Sequence, residues 1–257
     1  GDGTARDVMD AVDLRIPALG IPAGVKVYSG VFAKNPKVGA RIAREYLEGA
    51  LPLMEAEVMD VDEEAFRSGR LSAKLYGYLK IPAESSLIQW VKAPTPRTEG
   101  EKENQRAISK YIIEEMEDGC AYVVGPGSTT KAIFDALGLK KTLLGVDVLY
   151  GGRIAAKDAN EKQILEILSE APRAKIIVTP IGGQGYIFGR GNQQISPKVI
   201  RRVGKENIIV VATKHKLQTL RHGNLLVDTG DPKLDRELKG YVRVVTDYRE
   251  ERIAKVE

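Results

Sequence analysis

The chain has 257 residues, enough for one large or two ordinary domains, and its 43% hydrophobic and 29% charged residues are typical of a soluble globular protein. A net charge of +4 favours anionic ligands such as nucleotides and is too small to indicate nucleic acid, while a single cysteine excludes a disulfide framework. No apolar run could span a bilayer and no signal peptide is visible, so we expect a cytoplasmic protein with no membrane partner.

The first four residues, Gly-Asp-Gly-Thr, precede a predicted helix over residues 5–15. Glycine lets the backbone approach a ligand closely, and a helix N-terminus offers free N–H groups to a phosphate. An aspartate held there can bind a metal or accept a hydroxyl proton. The alternative interpretation is an ordinary strand-to-helix turn with a cap. Such a segment normally follows a buried strand, so we expect the sequence to be the remainder of a longer chain, cut inside its first domain.

The next segment continues an α/β pattern. Residues 15–22 predict a short buried strand that ends in a Gly/Pro loop, and residues 31–47 predict a helix that Gly49 ends. A glycine loop followed by helix, strand and helix is typical of the latter part of a doubly wound α/β domain. We therefore predict an N-terminal domain over residues 1–50 and a larger second domain over residues 51–257.

The second domain predicts a mixed α/β fold with glycine-rich loops, because strand and helix patterns alternate along most of it. Strands are predicted over residues 53–61, 71–81, 86–93, 121–124, 142–148, 175–179, 208–212, 225–228 and 241–246. Helices are predicted over residues 102–117, 131–137, 161–168 and 197–203. Asn160 and Ser196 have the residue types and positions of helix N-caps. Cys120 opens an apolar run and is expected in the core.

A second glycine-rich segment, Gly-Pro-Gly-Ser-Thr-Thr, follows the buried strand of residues 121–124. It places backbone amides and three hydroxyls at a helix N-terminus, where an anion fits. Lys131 comes after the hydroxyls, so this is not the P-loop pattern. The candidate phosphate-binding residues are Gly127, Ser128, Thr129 and Thr130. The alternative is that Ser128 or Thr129 only caps the helix.

A third loop, residues 182–192, contains five glycines, which are entropically unfavourable unless they allow tight turns or close approach to a ligand. Arg190 could contact phosphate, because its planar fork matches phosphate oxygens. The candidate nucleotide-binding residues of the loop are Gly182, Gly183, Gln184, Gly185 and Arg190. The alternative is a surface loop or a hairpin around residues 186–188.

Residues 20–26 form a loop after the first predicted strand, and Gly24 and Lys26 could reach a phosphate there; a solvated lysine is the alternative. His215 and His222, the only histidines, have no cysteine nearby, so we predict no protein metal site. The basic residues are spread out, and residues 201–202 with residues 214–216 come nearest to a patch.

Together the loops resemble one family, the ATP- or polyphosphate-dependent NAD kinases and the related acetoin-catabolism accessory proteins. Residues 1–4 are similar to the Gly-Gly-Asp-Gly-Thr motif without its first glycine, and residues 20–26 occupy the place of the next loop. Residues 127–129 resemble the Gly-Ser-Thr segment of the C-terminal domain. The run of residues 179–197 looks most like the archaeal and accessory-protein branch.

The resemblance implies a two-domain kinase with its active site between the domains, which moves a phosphoryl group from ATP or polyphosphate to the 2′-hydroxyl of NAD and gives NADP. It implies Asp2 as the catalytic aspartate, Gly1, Gly3 and Thr4 as its phosphate-handling neighbours, and Mg²⁺ as a cofactor. We expect small-molecule nucleotides as partners, no nucleic acid, and a homo-oligomer.

The sequence departs from the family at three points, and the first is that we expect the upstream half of the N-terminal domain to be absent from it. The usual Asn-Glu pair between the first two loops is missing, and Thr130-Lys131 stands where many NAD kinases have Ala-Tyr. Two alternatives therefore stay open: a nucleotide-binding accessory or regulatory protein without turnover, and a kinase for another hydroxyl acceptor.

Overall fold

The computed structural model describes residues 1–22, 28–33, 36–61, 73–83, 99–181, 185–220 and 223–257. The chain divides into two compact units, which we call the N-terminal unit (Gly1–Pro94) and the C-terminal unit (Thr95–Glu257). The contacts join the strand pair after residue 51 to the N-terminal unit, whereas our sequence prediction assigned it to the second domain. The reason is a shared core, in which Ala5 and Ile42 pack with Val58 and Leu79.

The N-terminal unit contains two helices and a β-hairpin: α1 (Asp2–Val12), α2 (Pro36–Leu47), β1 (Leu53–Val61) and β2 (Ala73–Pro82). Helix α1 begins three residues earlier than predicted, because the Ala5 amide already donates to the Gly1 carbonyl, 3.1 Å away. Strands β1 and β2 pair antiparallel, with an irregularity after Val58. The hairpin agrees with the predicted strands of residues 53–61 and 71–81.

The strand predicted over residues 15–22 does not form beyond a single bridge from Gly20 to Phe32. The Gly20 amide donates to the Val31 carbonyl (2.8 Å) and the Ala33 amide donates to the Gly20 carbonyl (2.9 Å), so residues 31–33 are extended. The predicted helix of residues 31–47 therefore starts only at Pro36, a residue suited to a first helical turn. Gly49 ends α2 with a φ of 75°.

The C-terminal unit is a mixed α/β fold, as predicted. Its helices are α3 (Glu99–Glu114), α4 (Ser128–Ala136), α5 (Glu161–Glu170), α6 (Pro197–Val203), α7 (Lys214–Gln218) and α8 (Pro232–Leu238). Its strands are β3 (Cys120–Val124), β4 (Asp147–Tyr150), β5 (Arg153–Ala156), β6 (Arg173–Val178), β7 (Tyr186–Phe188), β8 (Ile208–Val211), β9 (Leu226–Val227), β10 (Gly240–Asp247) and β11 (Glu250–Val256).

Seven of these strands form one sheet in the order β11-β10-β8-β6-β3-β4-β5. Strands β3, β6, β8 and β10 run parallel, and the strands at both edges run antiparallel to their neighbours. Strands β7 and β9 pair in a separate small sheet. Helices α3 and α4 cover one face of the large sheet, with Ile108 and Phe134 in its core. Helices α5 and α6 cover the other face through Ile164 and Val199.

Several local predictions in this unit are confirmed. Ser196 caps α6 by accepting from the Val199 amide, and Asn160 forms a capping box with Gln163 at the start of α5. Cys120 is buried in the core. None of the described helices is both long and apolar enough to cross a lipid bilayer.

Other predictions are corrected. Helix α3 lies three residues before its predicted span, and the strand predicted from residue 142 begins only at Asp147. Two glycines with positive φ, Gly151 and Gly152, then turn the chain into β5, which the sequence did not indicate. Strand β11 and helices α7 and α8 were also missed. The predicted strand of residues 86–93 lies outside the described residues.

Candidate functional site

The C-terminal unit has a point in its sheet where the chain leaves neighbouring strands in opposite directions. Strands β3 and β6 are parallel neighbours. After β3 the chain passes through α4 on one face to β4, and after β6 it passes through α6 on the other face to β8. Open α/β sheets bind ligands in the crevice that such diverging connections leave at the carboxyl ends of the strands. We call this place, at residues 125–128 and Thr179, the switch-point crevice.

Gly127 shapes the first wall of the crevice. It is the N-cap of α4 with a φ of 131°, and a Cβ on it would lie 2.5 Å from Thr179 Cγ2. The position therefore requires glycine both for its backbone angle and for its contact with Thr179. The Gly127 amide donates to the Leu143 carbonyl at 2.9 Å, which fixes the loop.

The three hydroxyl residues after Gly127 belong to the first turn of α4 and not to a loop, which corrects the prediction that the helix begins at Lys131. No side chain caps α4, so the alternative that Ser128 or Thr129 is the cap is wrong. Thr129 and Thr130 are buried, and Thr130 Oγ1 donates to the Gly125 and Gly127 carbonyls at 2.8 and 3.0 Å. Ser128 is exposed and accepts from Gln105 Nε2 at 3.3 Å. The free amides of this first turn and Ser128 can meet a ligand.

Lys216 forms a second wall that the sequence did not single out. It lies on α7, directly after β8, and its ammonium donates to Thr179 Oγ1 at 3.4 Å. The side chain is partly exposed along its length, but burial of the ammonium end lowers its pKa to about 8, against the opposing effect of the Glu101 carboxylate. The sequence signal that could have identified Lys216 was its position just after a buried strand. Its position beside Thr179 follows from the pairing of β8 with β6.

Helix α3 closes the neighbouring side of the same sheet edge. Asn104 Oδ1 accepts from the Lys214 amide at 3.0 Å, and its Nδ2 donates to the Thr246 carbonyl at 2.7 Å. Glu101, which is almost fully buried, accepts from Thr213 Oγ1 at 2.7 Å. A cleft of about 570 Å³ lies here, lined by the start of α3, by Lys214 and His215, and by Asp247. It is large enough for part of a nucleotide.

The third predicted loop is described only from Gly185 onward, and Gly182, Gly183 and Gln184 lie outside the described residues. Gly185 has a φ of 84°, and a Cβ on it would lie 2.8 Å from the Asn224 carbonyl oxygen. Gly189 comes still closer to the Asp228 carbonyl. These glycines therefore allow close backbone packing beside the β7–β9 pair. Strand β7 pairs parallel with β9, and Tyr186 also forms an isolated antiparallel bridge with Ile181, as a hairpin around these residues would.

Arg190 is 5% exposed and stacks over the Tyr186 ring, 5.0 Å from its centroid. Its Nη2 donates to Asp228 Oδ2 at 3.4 Å, and its buried Nη1 has no hydrogen-bond partner among the described residues. The side chain thus packs between its own loop and the residue that follows β9, and it keeps donor capacity for an anion.

In the N-terminal unit, Asp2 is 7% exposed and holds a neighbouring loop. Its Oδ1 accepts from the Ser29 amide (2.7 Å), the Ser29 hydroxyl (2.5 Å) and the Tyr28 amide (3.0 Å). Its Oδ2 accepts from the Tyr28 amide alone among the described residues, at 2.9 Å. Burial, together with the Asp2 charge, raises the pKa of Tyr28 to about 12.

Of the other residues predicted to bind phosphate in that unit, three are described by the structure and two are not. Gly1, Gly3 and Thr4 are exposed at the start of α1, whose amide end attracts anions. Gly24 and Lys26 lie outside the described residues. In the part of the chain that the structure describes, no three His, Cys, Asp or Glu side chains group closely enough to hold a metal ion.

A mixed α/β sheet with four parallel central strands and a crevice at its switch point defines an α/β protein of the doubly wound kind. The model of the ATP-NAD kinase C-terminal domain matches residues 117–256, and that of the N-terminal domain matches residues 1–51. Since the first alone covers more than half of the chain, the chain belongs to the ATP-NAD kinase family. Comparisons with curated proteins and with solved structures gave no match.

Membership confirms the family and the mixed α/β fold that the sequence predicted. The family's domains are those of kinase-type transferases that use ATP and NAD as substrates, so a phosphotransferase of this general kind is the framework for the chemistry below.

Proposed function

We propose that this chain transfers a phosphoryl group from ATP or polyphosphate to the 2′-hydroxyl of NAD and so gives NADP. The observation that carries the proposal is the switch-point crevice, where the first turn of α4 meets Thr179 and Lys216. Phosphoryl transfer depends chiefly on positioning and on neutralising charge. Amides at a helix N-terminus and an ammonium supply both to a phosphate chain.

We propose Asp2 as the base of this reaction. The oxygen of the acceptor hydroxyl forms a bond to the terminal phosphorus, the bond from that phosphorus to the leaving phosphate oxygen breaks, and the hydroxyl proton passes to Asp2. Three of the four short contacts to the carboxylate fall on Oδ1, which leaves Oδ2 the freer oxygen for a proton. A carboxylate oriented in this way is pre-organised as an acceptor.

Mg²⁺ would neutralise charge on the phosphates of such a reaction. This ion usually keeps several waters and binds through one or two carboxylates together with substrate phosphates. Because the proposed base role uses Oδ2 of Asp2, such an ion would be held chiefly by the substrate phosphates and by water. The residues thus suit a metal that arrives with the nucleotide.

The test is NADP formation from NAD, ATP and Mg²⁺ with Asp2→Asn, followed by the absorbance of NADPH in a coupled assay. We expect activity to fall at least about 100-fold, since general base catalysis typically contributes 10²–10⁴. Ser29→Ala is the matched control, because it removes a donor to Asp2 and keeps the carboxylate.

The result depends on folding, so both variants are compared by circular dichroism and thermal unfolding. Full activity in folded Asp2→Asn would refute the role of Asp2. A large loss in Ser29→Ala with Asp2→Asn still active would show that the loop around residues 28–29, and not a base, carries the effect.

A second function is favoured by one observation, the burial of Asp2 among loop donors. We infer from it an alternative in which the chain is a nucleotide-binding accessory or regulatory protein without turnover, with Asp2 as an anchor. Calorimetry that detects ATP binding, together with no phosphoryl transfer to NAD or to a panel of lipid, sugar and nucleoside hydroxyls, would favour this alternative. Transfer to another acceptor in the panel would identify a different kinase.

A further inference from the structure

Lys216 is an ammonium with unused hydrogen-bond donors. An ammonium has three N–H donors, and among the described residues its hydrogen-bond acceptor is Thr179 Oγ1, at the long distance of 3.4 Å. Its neighbour Lys214 differs, because its ammonium pairs with Asp247 and Glu250, each at 2.7 Å. The two lysines lie on the same short helix, so the difference comes from what faces each of them.

The charged group that acts on Lys216 against the effect of burial is the Glu101 carboxylate. Glu101 faces it from α3, and one Glu101 oxygen already accepts from Thr213. The segment after β6 presents the uncharged Thr179, and α7 itself carries Lys214 and His215. Burial of an ammonium is unfavourable unless an anion compensates it.

Thr179 connects Lys216 to the start of α4. Its Oγ1 accepts from the ammonium, while its Cγ2 packs against Gly127, where a Cβ could not fit. The ammonium and the positive end of the α4 dipole therefore lie on two sides of one threonine, and both attract negative charge. Two positive potentials on either side of one residue, with no described carboxylate hydrogen-bonded to Lys216, indicate a site for a multiply charged anion.

We propose that Lys216 binds a phosphate group of the phosphoryl donor, together with Thr179 and the first amides of α4. The inference rests on the proposed function, which it extends by assigning the contact to the phosphate chain of the donor. Phosphate oxygens can accept from the ammonium, the threonine hydroxyl and backbone amides at once. ATP and inorganic polyphosphate share this chemistry.

The experiment titrates the full chain with inorganic tripolyphosphate and, separately, with ATP, by calorimetry at pH 7 and fixed Mg²⁺. We expect Lys216→Met to weaken both ligands by about 10-fold or more, because a hydrogen bond to a charged group contributes roughly 1.5–3 kcal/mol. Lys162→Met, which removes an exposed lysine of α5, is the control and leaves both affinities unchanged. Thermal unfolding checks that both variants are folded.

The pH dependence separates a phosphate contact from a purely structural lysine. Affinity of the wild-type chain for tripolyphosphate should fall between pH 7 and 9.5, as the Lys216 ammonium with its pKa of about 8 loses its proton. Lys216→Arg keeps the charge and should give a flatter profile. Unchanged affinity of Lys216→Met for both ligands overturns the proposal, and so does weaker binding of ATP alone, since that would place Lys216 at the nucleoside.

Failure of the proposed function would look different. Tripolyphosphate binding that depends on Lys216, with no NADP formed by the wild-type chain, leaves the phosphate site standing and rejects the NAD kinase reaction. NADP formation with unchanged binding in Lys216→Met rejects the phosphate site and leaves the reaction standing.

Discussion

Lys141 and Lys216 are two lysines of the C-terminal unit that burial affects alike and that differ in their partners. Burial lowers the pKa of each to about 8. Lys141 donates to the Thr142 and Gly145 carbonyls at 3.0 and 2.8 Å, whereas Lys216 reaches one threonine hydroxyl at 3.4 Å. A buried charge therefore indicates a binding site only when its hydrogen-bonding capacity is left unused.

The surroundings of Lys141 explain why it offers less of this capacity than Lys216 does. Asp147, which is fully buried, accepts from the Thr142 amide and hydroxyl and from the Asp158 amide. The charges of Asp147 and Asp158 both favour the protonated lysine. This closed network holds the loop before β4 in place, so we assign Lys141 to structure and Lys216 to ligand binding.

The largest expected effect is on Lys141. Lys141→Met should lower the free energy of unfolding by roughly 2–5 kcal/mol, because it leaves the Thr142 and Gly145 carbonyls without their donor and removes the cation near the buried Asp147. Lys140→Met, at the exposed neighbouring position, should change it by less than about 0.5 kcal/mol. Urea denaturation measures both. An equally large loss in Lys216→Met would remove the distinction between the two lysines.

The next largest effect is expected on the pH dependence of the free energy of unfolding. The unfolded chain holds protons on these lysines up to their ordinary pKa of 10.5, while the folded chain releases them near pH 8. Stability should therefore rise with pH between about 8 and 10.5, by up to about 1.4 kcal/mol per pH unit for each lysine. Lys216→Met should be at least as stable as the wild-type chain at pH 7, and its free energy of unfolding should rise less steeply with pH. Urea denaturation at pH 7.5, 9 and 10 measures this. An equal change with pH in the free energies of unfolding of the wild-type chain and of Lys216→Met would contradict the prediction.

A smaller effect on stability is expected at Gly127, which packs against Thr179 at the start of α4. Gly127→Ala should destabilise the chain by roughly 1–3 kcal/mol, since it combines a strained φ with a contact to Thr179. Gly138→Ala is the matched control, with a positive φ and nothing within 4 Å of the added Cβ. Adding Thr179→Ser removes Cγ2 and should recover part of the loss in a double-mutant cycle. No recovery would show that the backbone angle alone matters.

The smallest expected effect is that of Thr179→Val, which keeps the shape of the residue and removes the hydroxyl bound to Lys216. Because that bond is 3.4 Å long, we expect thermal and urea unfolding to show a change below about 1 kcal/mol. A larger loss would mean that Lys216 depends on Thr179 as Lys141 depends on its carbonyls.

The features that were predicted correctly from the sequence are those that depend on local residue patterns. The caps at Asn160 and Ser196 follow from residue type and spacing, and the apolar runs of β3, β6 and β8 predicted buried strands in the right places. The family was predicted from the ordered loops. The beginning of α4 was misplaced, because Gly127, and not a hydroxyl residue, is its cap.

What the sequence could not predict depends on long-range pairing. Lys216 reaches Thr179 only because β8 lies beside β6 in the sheet. Gly185 was predicted to bind a nucleotide, and the structure adds that Gly185 and Gly189 each pack against a carbonyl about 39 residues away in the chain, at Asn224 and Asp228. Separations of this kind leave no periodicity to detect.

If Asp2 is the base that we propose, its hydrogen bonds have a consequence for the loop of residues 28–29. Ser29 Oγ donates to Asp2 and accepts from the Met59 amide at 2.9 Å, so one hydroxyl links α1, the loop of residues 28–29 and β1. A carboxylate that gains a proton on Oδ2 turns from an acceptor into a donor there and faces the Tyr28 N–H, which is also a donor. Protonation of Oδ2 would leave the Tyr28 amide with Oδ1 as its acceptor and would weaken the hold of Asp2 on the loop that Ser29 links to β1. In this chain, chemistry at Asp2 and displacement of that loop would be a single coupled event.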